Sequence, residues 1–316
     1  MKNQTNSQKN FILMGADGGL VYTLAVFFPL VVSVIFSVII VSLGLNEDES
    51  FLNSALYTHL SFAIPALSLG IIVFYTLKRQ NLDFALTLCF KRCQTKYYLL
   101  AIAFAFASLF GLGWLNEQFI YFLESLGFKI SSVTLPNSSI GDYILCIITV
   151  CVLPAFFEEC IFRGLILNGC KRLGDYFAVV LCAVLFSLYH KNPAQTIYQL
   201  IIGGVLTLLT LRSGSILPAI LYHFINNFYL VTYNQFVSPS FIFEPWLQIL
   251  LMSLGMLVFF VSLLYLWKGC KNPERDQKFN EDFSKIVSVQ SERKNFLIFA
   301  SLGIAVCLVT WIVNLF

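Results

Sequence analysis

The chain has 316 residues, of which 58% are hydrophobic and 16% aromatic, while only 12% are charged. An average soluble domain carries roughly 25% charged residues, and a soluble fold of this length has too little interior to bury so much apolar surface. The composition therefore excludes a soluble globular enzyme, a disordered chain and a disulfide scaffold, and the net charge of +3 is too small to indicate a nucleic-acid partner.

Long unbroken apolar runs, rather than the alternating pattern of an outer-membrane barrel, predict an all-α polytopic transmembrane helical bundle. A span needs roughly 20 apolar residues, and the chain has about 8–9 such runs. The predicted spans are 20–45, 55–77, 97–115, 143–168, 174–190, 195–212, 215–232, 243–267 and 295–315.

We divide the chain into N-terminal spans and loops at 1–142, a catalytic membrane core at 143–232, and C-terminal spans at 233–316. The aromatic segment 116–142 suits an interfacial helix on the outer side. Residues 268–294 are charged and predict a solvated cytoplasmic linker, which would leave the last span peripheral.

The distribution of Lys and Arg predicts a cytoplasmic N-terminus. With loops counted alternately from there, only Lys129 and Lys191 lie outside, and Arg163 lies within a span. The remaining positive residues then fall on the cytoplasmic side: Lys2, Lys9, Lys78, Arg79, Lys91, Arg92, Lys96, Lys171, Arg172, Arg212, Lys268, Lys271, Arg275, Lys278, Lys285, Arg293 and Lys294.

The fourth predicted span contains three ionisable residues within six positions, Glu158, Glu159 and Arg163. Each would cost roughly 2.5–3.5 kcal/mol at a span centre without a partner. Glu159 and Arg163 are four residues apart with the acid first, which favours an intrahelical ion pair. Glu158 lies about 100° around the helix from Glu159. The spacing therefore predicts that Glu158 needs a different partner, whereas a purely structural ion network is the alternative.

Two of the three histidines lie near this span in sequence, His190 and His223. Helical spacing places Phe186 on the face of His190, and Asn227 on the face of His223. Asn226 is adjacent to Asn227 but is expected to face differently. His59 has no ionisable neighbour in its span, and we expect it to be structural.

The three motifs Glu158-Glu159-x3-Arg163, Phe186-x3-His190 and His223-x3-Asn227 resemble those of the CPBP family of intramembrane proteases. This is the family of type II CAAX prenyl endopeptidases and Abi bacteriocin-processing proteins. The resemblance covers about 143–230, and the motif positions show no departure from the family pattern.

The resemblance implies a glutamic-type endopeptidase without an obligatory metal or other cofactor. In that family pattern Glu158, helped by His190, activates the water that attacks the scissile carbonyl, and His223 and Asn227 donate hydrogen bonds to the oxyanion. The residues implied as structural support are Glu159, Arg163 and Phe186. The implied substrate is a membrane-associated peptide, either prenylated and of the CAAX type or of the bacteriocin or signal type.

Three alternatives stay open at the level of sequence. Glu158, His190 and His223 could form a His2Glu zinc site with an open fourth position, although a helical HExxH motif is absent. The chain could instead be a non-catalytic immunity or secretion protein, or a transporter with a proton relay. Helix rise also places His190 nearer the outer side than Glu158, which predicts an intramembrane site of undefined depth. Oligomeric state is open.

Overall fold

The computed structural model describes residues 13–128, 135–136, 139–237, 244–269 and 288–315. In these ranges the chain is helical, without strands, and nine long helices follow one another. They are α1 Gly15–Ser42, α2 Ala55–Arg79, α3 Thr95–Ser125, α4 Ile140–Leu173, α5 Asp175–Tyr189, α6 Thr196–Ser213, α7 Leu217–Phe236, α8 Pro245–Lys268 and α9 Val289–Val313.

The predicted polytopic helical bundle is confirmed. Each predicted span has one helix, and seven of the described helices, counting α6 from Pro193, are long and apolar enough to cross a membrane. The other two are α5, which is apolar but has only 15 residues, and α7, which carries the His223 motif. The division into three parts stays a prediction.

Two expectations about the periphery were wrong. Residues 116–125 continue α3 to Ser125 and do not form a separate interfacial helix. The last helix is not peripheral, because α9 packs along α1, and Gly15 donates its backbone N–H to Glu292 at 2.6 Å. Most of the predicted linker 268–294 lies outside the described residues.

Helix α4 is irregular around the double-glutamate motif. It has π-helical segments at Ile147–Val152 and Cys160–Ile166, separated by one α-helical segment, Leu153–Glu159. Pro154 lies in that segment and has no backbone N–H, so it cannot bond the carbonyl four residues earlier. Such π segments occur often at functional sites.

The loops predicted to share the cytoplasmic side meet at one end of the bundle. Ile216 donates its N–H to Cys89 at 3.2 Å, and Arg212 pairs with Asp175 at 3.1 Å. Arg293, at the start of α9, donates its Nε–H to the Leu173 carbonyl at 3.0 Å. This common end agrees with the loop alternation, while the orientation of the N-terminus stays a prediction.

Candidate active site

An ion pair at the centre of the bundle occupies one of the two adjacent glutamates. Arg163 donates to Glu159 Oε1 at 2.9 Å, and both side chains are fully buried. A second guanidinium nitrogen of Arg163 donates to the Gly203 carbonyl on α6 at 3.3 Å. The pair that the four-residue spacing predicts is therefore present, and it also joins α4 to α6.

Phe186 on α5 lies between the other motif residues. The Arg163 guanidinium lies over its ring at 4.2 Å from the centroid. The His190 ring is 4.8 Å and the His223 ring 6.2 Å from the same centroid, both edge to face. One buried aromatic ring thus holds the three sequence motifs together, and its neighbours come from α4, α5 and α7.

His190 is the first residue after α5, and its ring orientation is fixed by its own helix. The Nδ1 atom lies 2.8 Å from the Phe186 carbonyl oxygen, which can only accept a hydrogen bond. Nδ1 therefore carries the proton, and a neutral ring presents the lone pair of Nε2. Helix α5 spans only about 22 Å, less than the roughly 30 Å of a bilayer core, so His190 can lie at membrane depth.

His223 on α7 contacts the paired glutamate. Its Nδ1 lies 2.9 Å from Glu159 Oε1, the same oxygen that accepts from Arg163. An ionised carboxylate only accepts, so Nδ1 is the donor in this contact. The motif spacing did not indicate this hydrogen bond, because its partners are 64 residues apart.

Asn227, one helical turn after His223, donates its side-chain N–H to the Val150 carbonyl on α4 at 2.9 Å. That carbonyl is the one left without its α-helical donor by Pro154, four residues later. The proline and the amide are therefore complementary: the first exposes a backbone acceptor, and the second binds it. One amide hydrogen of Asn227 remains for another acceptor.

Two further polar residues extend this network: Asn226, which the sequence predicted to face differently from Asn227, and Tyr198, which was missed in the sequence. Tyr198 on α6 donates its hydroxyl to Asn226 Oδ1 at 2.6 Å, and Asn226 Nδ2 lies 3.4 Å from Asn227 Oδ1. Asn226 and Asn227 thus contact different helices, as their angular separation predicts, and still touch each other. A signal existed, since a buried amide needs hydrogen-bond partners on neighbouring helices.

Glu158 differs from all these residues. Its side chain is half-buried, and its Oε2 atom is buried with no hydrogen-bond partner among the residues that the structure describes. Glu159, next to it, accepts from both Arg163 and His223 through Oε1, although its own Oε2 is also without a hydrogen-bond partner among the described residues. The motif therefore contains one carboxylate with its charge paired and one available to a water molecule or substrate.

His59 lies outside this cluster. Its two ring nitrogens are 3.4 Å from Thr149 Oγ1 and 3.9 Å from Asp142, both on α4. His59 thus has polar neighbours on another helix, which agrees with the expected structural role. Within the part of the chain that the structure describes, no group of three or more His, Cys, Asp or Glu side chains could hold a metal ion.

The arrangement places a guanidinium and two imidazoles around one buried ring, with a carboxylate from α4 and an amide from α7 in the same motifs. In comparisons with known proteins, no curated protein and no solved structure matches the chain. Residues 140–229 match the family model described as type II CAAX prenyl endopeptidase Rce1-like. The matched segment includes all three motifs and supports the CPBP/CAAX protease family predicted from them.

Proposed function

We propose that this chain is an intramembrane endopeptidase that hydrolyses a peptide bond in a membrane-associated peptide, using a water molecule activated by Glu158 and His190. The observation that carries the proposal is the contrast between the two adjacent glutamates. The Oε2 atoms of both glutamates are buried without a hydrogen-bond partner among the described residues. Glu159 is nevertheless paired through Oε1 with Arg163 and His223, whereas Glu158 forms no ion pair within the described part of the chain. An unpaired buried carboxylate is costly, and catalysis by Glu158 accounts for that cost.

In the proposed first step, Glu158 removes a proton from water while the hydroxyl oxygen attacks the scissile carbonyl carbon. His190 assists by accepting a hydrogen bond from the same water at Nε2, because Nδ1 donates to the Phe186 carbonyl. In the second step the C–N bond breaks, and the proton held by Glu158 passes to the leaving amine. General acid–base catalysis of this kind contributes about 100- to 10,000-fold.

The oxyanion formed in the first step needs donors. Asn227 has one amide hydrogen left after its bond to Val150. His223 in its doubly protonated form donates Nδ1–H to Glu159 and has Nε2–H for the oxyanion. We propose that Glu159, beyond holding Arg163, orients His223 for this task.

The proposed substrate is a peptide with an apolar or prenyl chain, which is what the family implies. Four phenylalanines form an aromatic row from the loop after α2 to the residue before Glu158. Their centroids are 5.6 Å apart for Phe84 and Phe90, 6.1 Å for Phe90 and Phe156, and 5.2 Å for Phe156 and Phe157. Phe84 is 42% exposed, so the row leads from the surface towards the carboxylate.

The decisive experiment uses purified protein in liposomes and a quenched fluorescent peptide library with and without a farnesyl group. Glu158→Gln nearly preserves volume and should reduce cleavage by about 100-fold or more. Glu124→Gln, the same change at an exposed position of α3, should leave cleavage unchanged. Full activity of Glu158→Gln would falsify the proposal and leave the immunity, secretion and transport alternatives.

The aromatic row has its own test. Phe90→Ala should raise KM for the farnesylated peptide about tenfold, since burying a large apolar side chain contributes about 1.5–3 kcal/mol. KM for the unmodified peptide should not change. Phe260→Ala, at a 52% exposed position of α8, is the matched control.

Metal dependence is tested on the same preparation. We expect activity to survive exhaustive chelation and to show no correlation with bound zinc. Stoichiometric zinc together with complete inactivation by a chelator would instead favour the zinc hydrolase, with Glu158, His190 and His223 as its ligands.

A further inference from the structure

The end of the last helix is hydrogen-bonded to the connection that follows His190. Asn314, the residue after α9, donates its amide to the Lys191 carbonyl at 2.8 Å. Trp311, one turn earlier, donates its indole N–H to Thr196 Oγ1 at 2.7 Å. These two contacts hold both ends of the segment between α5 and α6, and they involve residues far outside the matched 140–229.

The segment between α5 and α6 needs hydrogen-bond partners such as Trp311 and Asn314 to keep its shape. Helix α5 is about 8 Å shorter than a bilayer core, so the segment after it can lie at membrane depth, where irregular backbone groups must be bonded within the protein. Lys191 also has a φ of 53°, a left-handed conformation that is uncommon for a residue with a side chain. The segment therefore depends on its surroundings for its shape.

Further hydrogen bonds connect this segment to α5, the helix that precedes His190. The backbone carbonyl of Thr196 accepts from Ser187 Oγ on α5 at 2.8 Å, and Thr196 Oγ1 donates to the Asn192 carbonyl at 3.2 Å. Ser187 is the residue after Phe186, whose carbonyl orients the His190 ring. A shift of Thr196 or Lys191 would thus move the backbone on both sides of His190.

Helix α9 is also fixed at its opposite end. Glu292 accepts from the Gly15 backbone, and Arg293 donates to the Leu173 carbonyl. Helix α9 is therefore hydrogen-bonded to the rest of the bundle near both of its ends. We infer that Trp311 and Asn314 are positioning residues for His190, so that the last helix belongs to the peptidase site. The effect on catalysis rests on the proposed function, whereas the effect on the His190 ring does not.

The presence of only three histidines in the chain permits a direct test. Full-length protein with 13C-labelled histidine gives three ring signals, which His59→Asn and His223→Asn variants assign. Trp311→Phe and Asn314→Ala should shift or broaden the His190 signal and leave that of His59 in place. Trp246→Phe and Asn46→Ala, matched changes at exposed positions, should move none of the three.

In the cleavage assay, Trp311→Phe and Asn314→Ala should lower kcat about tenfold or more with KM unchanged, since small displacements of a catalytic group are costly. Neither change should have a further effect in a His190→Ala background. Asn314→Gln, which keeps an amide donor, should recover part of the rate.

The inference is overturned if both variants keep the wild-type His190 signal, or if their losses of kcat are undiminished in the His190→Ala background. If Glu158→Gln is active, the proposed function fails, and the His190 signal alone decides the positioning role. If Trp311→Phe does not fold, Asn314→Ala at its exposed position carries the test.

Discussion

Two helix interfaces in this protein solve the same packing problem in opposite ways. Between α1 and α9 the contact is made by glycine: a Cβ at Gly19 would collide with the Phe296 carbonyl, and one at Gly18 would lie 2.8 Å from the Phe296 ring. Between α4, α5 and α7 the contact is made by buried ions and an aromatic ring, with Glu159 and Arg163 fully buried.

The difference shows what each interface is suited to. Small residues in a membrane protein allow backbones to approach closely and gain dispersion energy, without leaving any group to react. Polar side chains need partners at every hydrogen-bonding atom, and a partly unpaired group is costly. The glycine interface therefore contributes only to the packing of α1 against α9. The polar cluster, by contrast, contains a carboxylate, Glu158, that has no ion-pair partner within the described residues.

The largest effect should come from removing the cation of the polar cluster. Arg163→Met leaves Glu159 buried with only His223 as partner, and breaking one half of a buried pair costs about 3–5 kcal/mol. Thermal unfolding in detergent should show a large loss of stability. Arg79→Met, at an exposed site, is the control. Adding Glu159→Gln to Arg163→Met should recover stability, and the absence of recovery would contradict the pairing argument.

The next change tests whether backbone chemistry within α4 serves the site. Pro154→Ala restores an N–H that can donate to the Val150 carbonyl and so compete with Asn227. Displacing an oxyanion donor by about 1 Å can cost up to 100-fold in kcat, while stability should not fall. Cleavage kinetics and thermal unfolding on the same sample separate the two effects. Unchanged kcat with intact folding would show that Val150 does not hold Asn227 in place.

A smaller effect is expected at the glycine interface. Gly19→Leu forces α1 and α9 apart, and overpacking of this kind costs about 1–3 kcal/mol. Gly113→Leu on α3 is a matched control, because a Cβ there meets nothing within 4 Å. Equal melting temperatures for the two variants would mean that close contact between α1 and α9 contributes little.

The sequence predicted correctly those features that depend on residues close together along the chain. Apolar runs predicted the helices, and four-residue spacing predicted the Glu159–Arg163 pair, because both depend on neighbours along one helix. The contact between Glu292 and Gly15 joins residues 277 apart, and that between His223 and Glu159 joins residues 64 apart. Their partners cannot be read from one sequence, since spacing along the chain does not encode distance between helices.

The irregularity of α4 was only partly visible. Pro154 indicated a disturbance of the helix, but the two π segments follow from hydrogen bonds over five residues, which leave no periodic signature in an apolar run. The consequence that matters is the Val150 carbonyl, which lacks its α-helical donor at Pro154 and accepts from Asn227. That contact depends on where α7 packs. The roles assigned to Glu158, His190, His223 and Asn227 stay predictions until kinetics test them.

The smallest effect should come from an ion pair between α5 and α6 that lies outside both interfaces. Arg212 pairs with Asp175 at 3.1 Å, and the aspartate side chain is 39% exposed. Exposed ion pairs contribute only about 0–1 kcal/mol and weaken with salt. Asp175→Asn should therefore shift the unfolding midpoint little, and less still in 0.5 M salt than in dilute buffer (about 0.5 M is enough to screen such a pair). A loss as large as that of Arg163→Met would show that this partly exposed pair contributes as much to stability as the buried cluster.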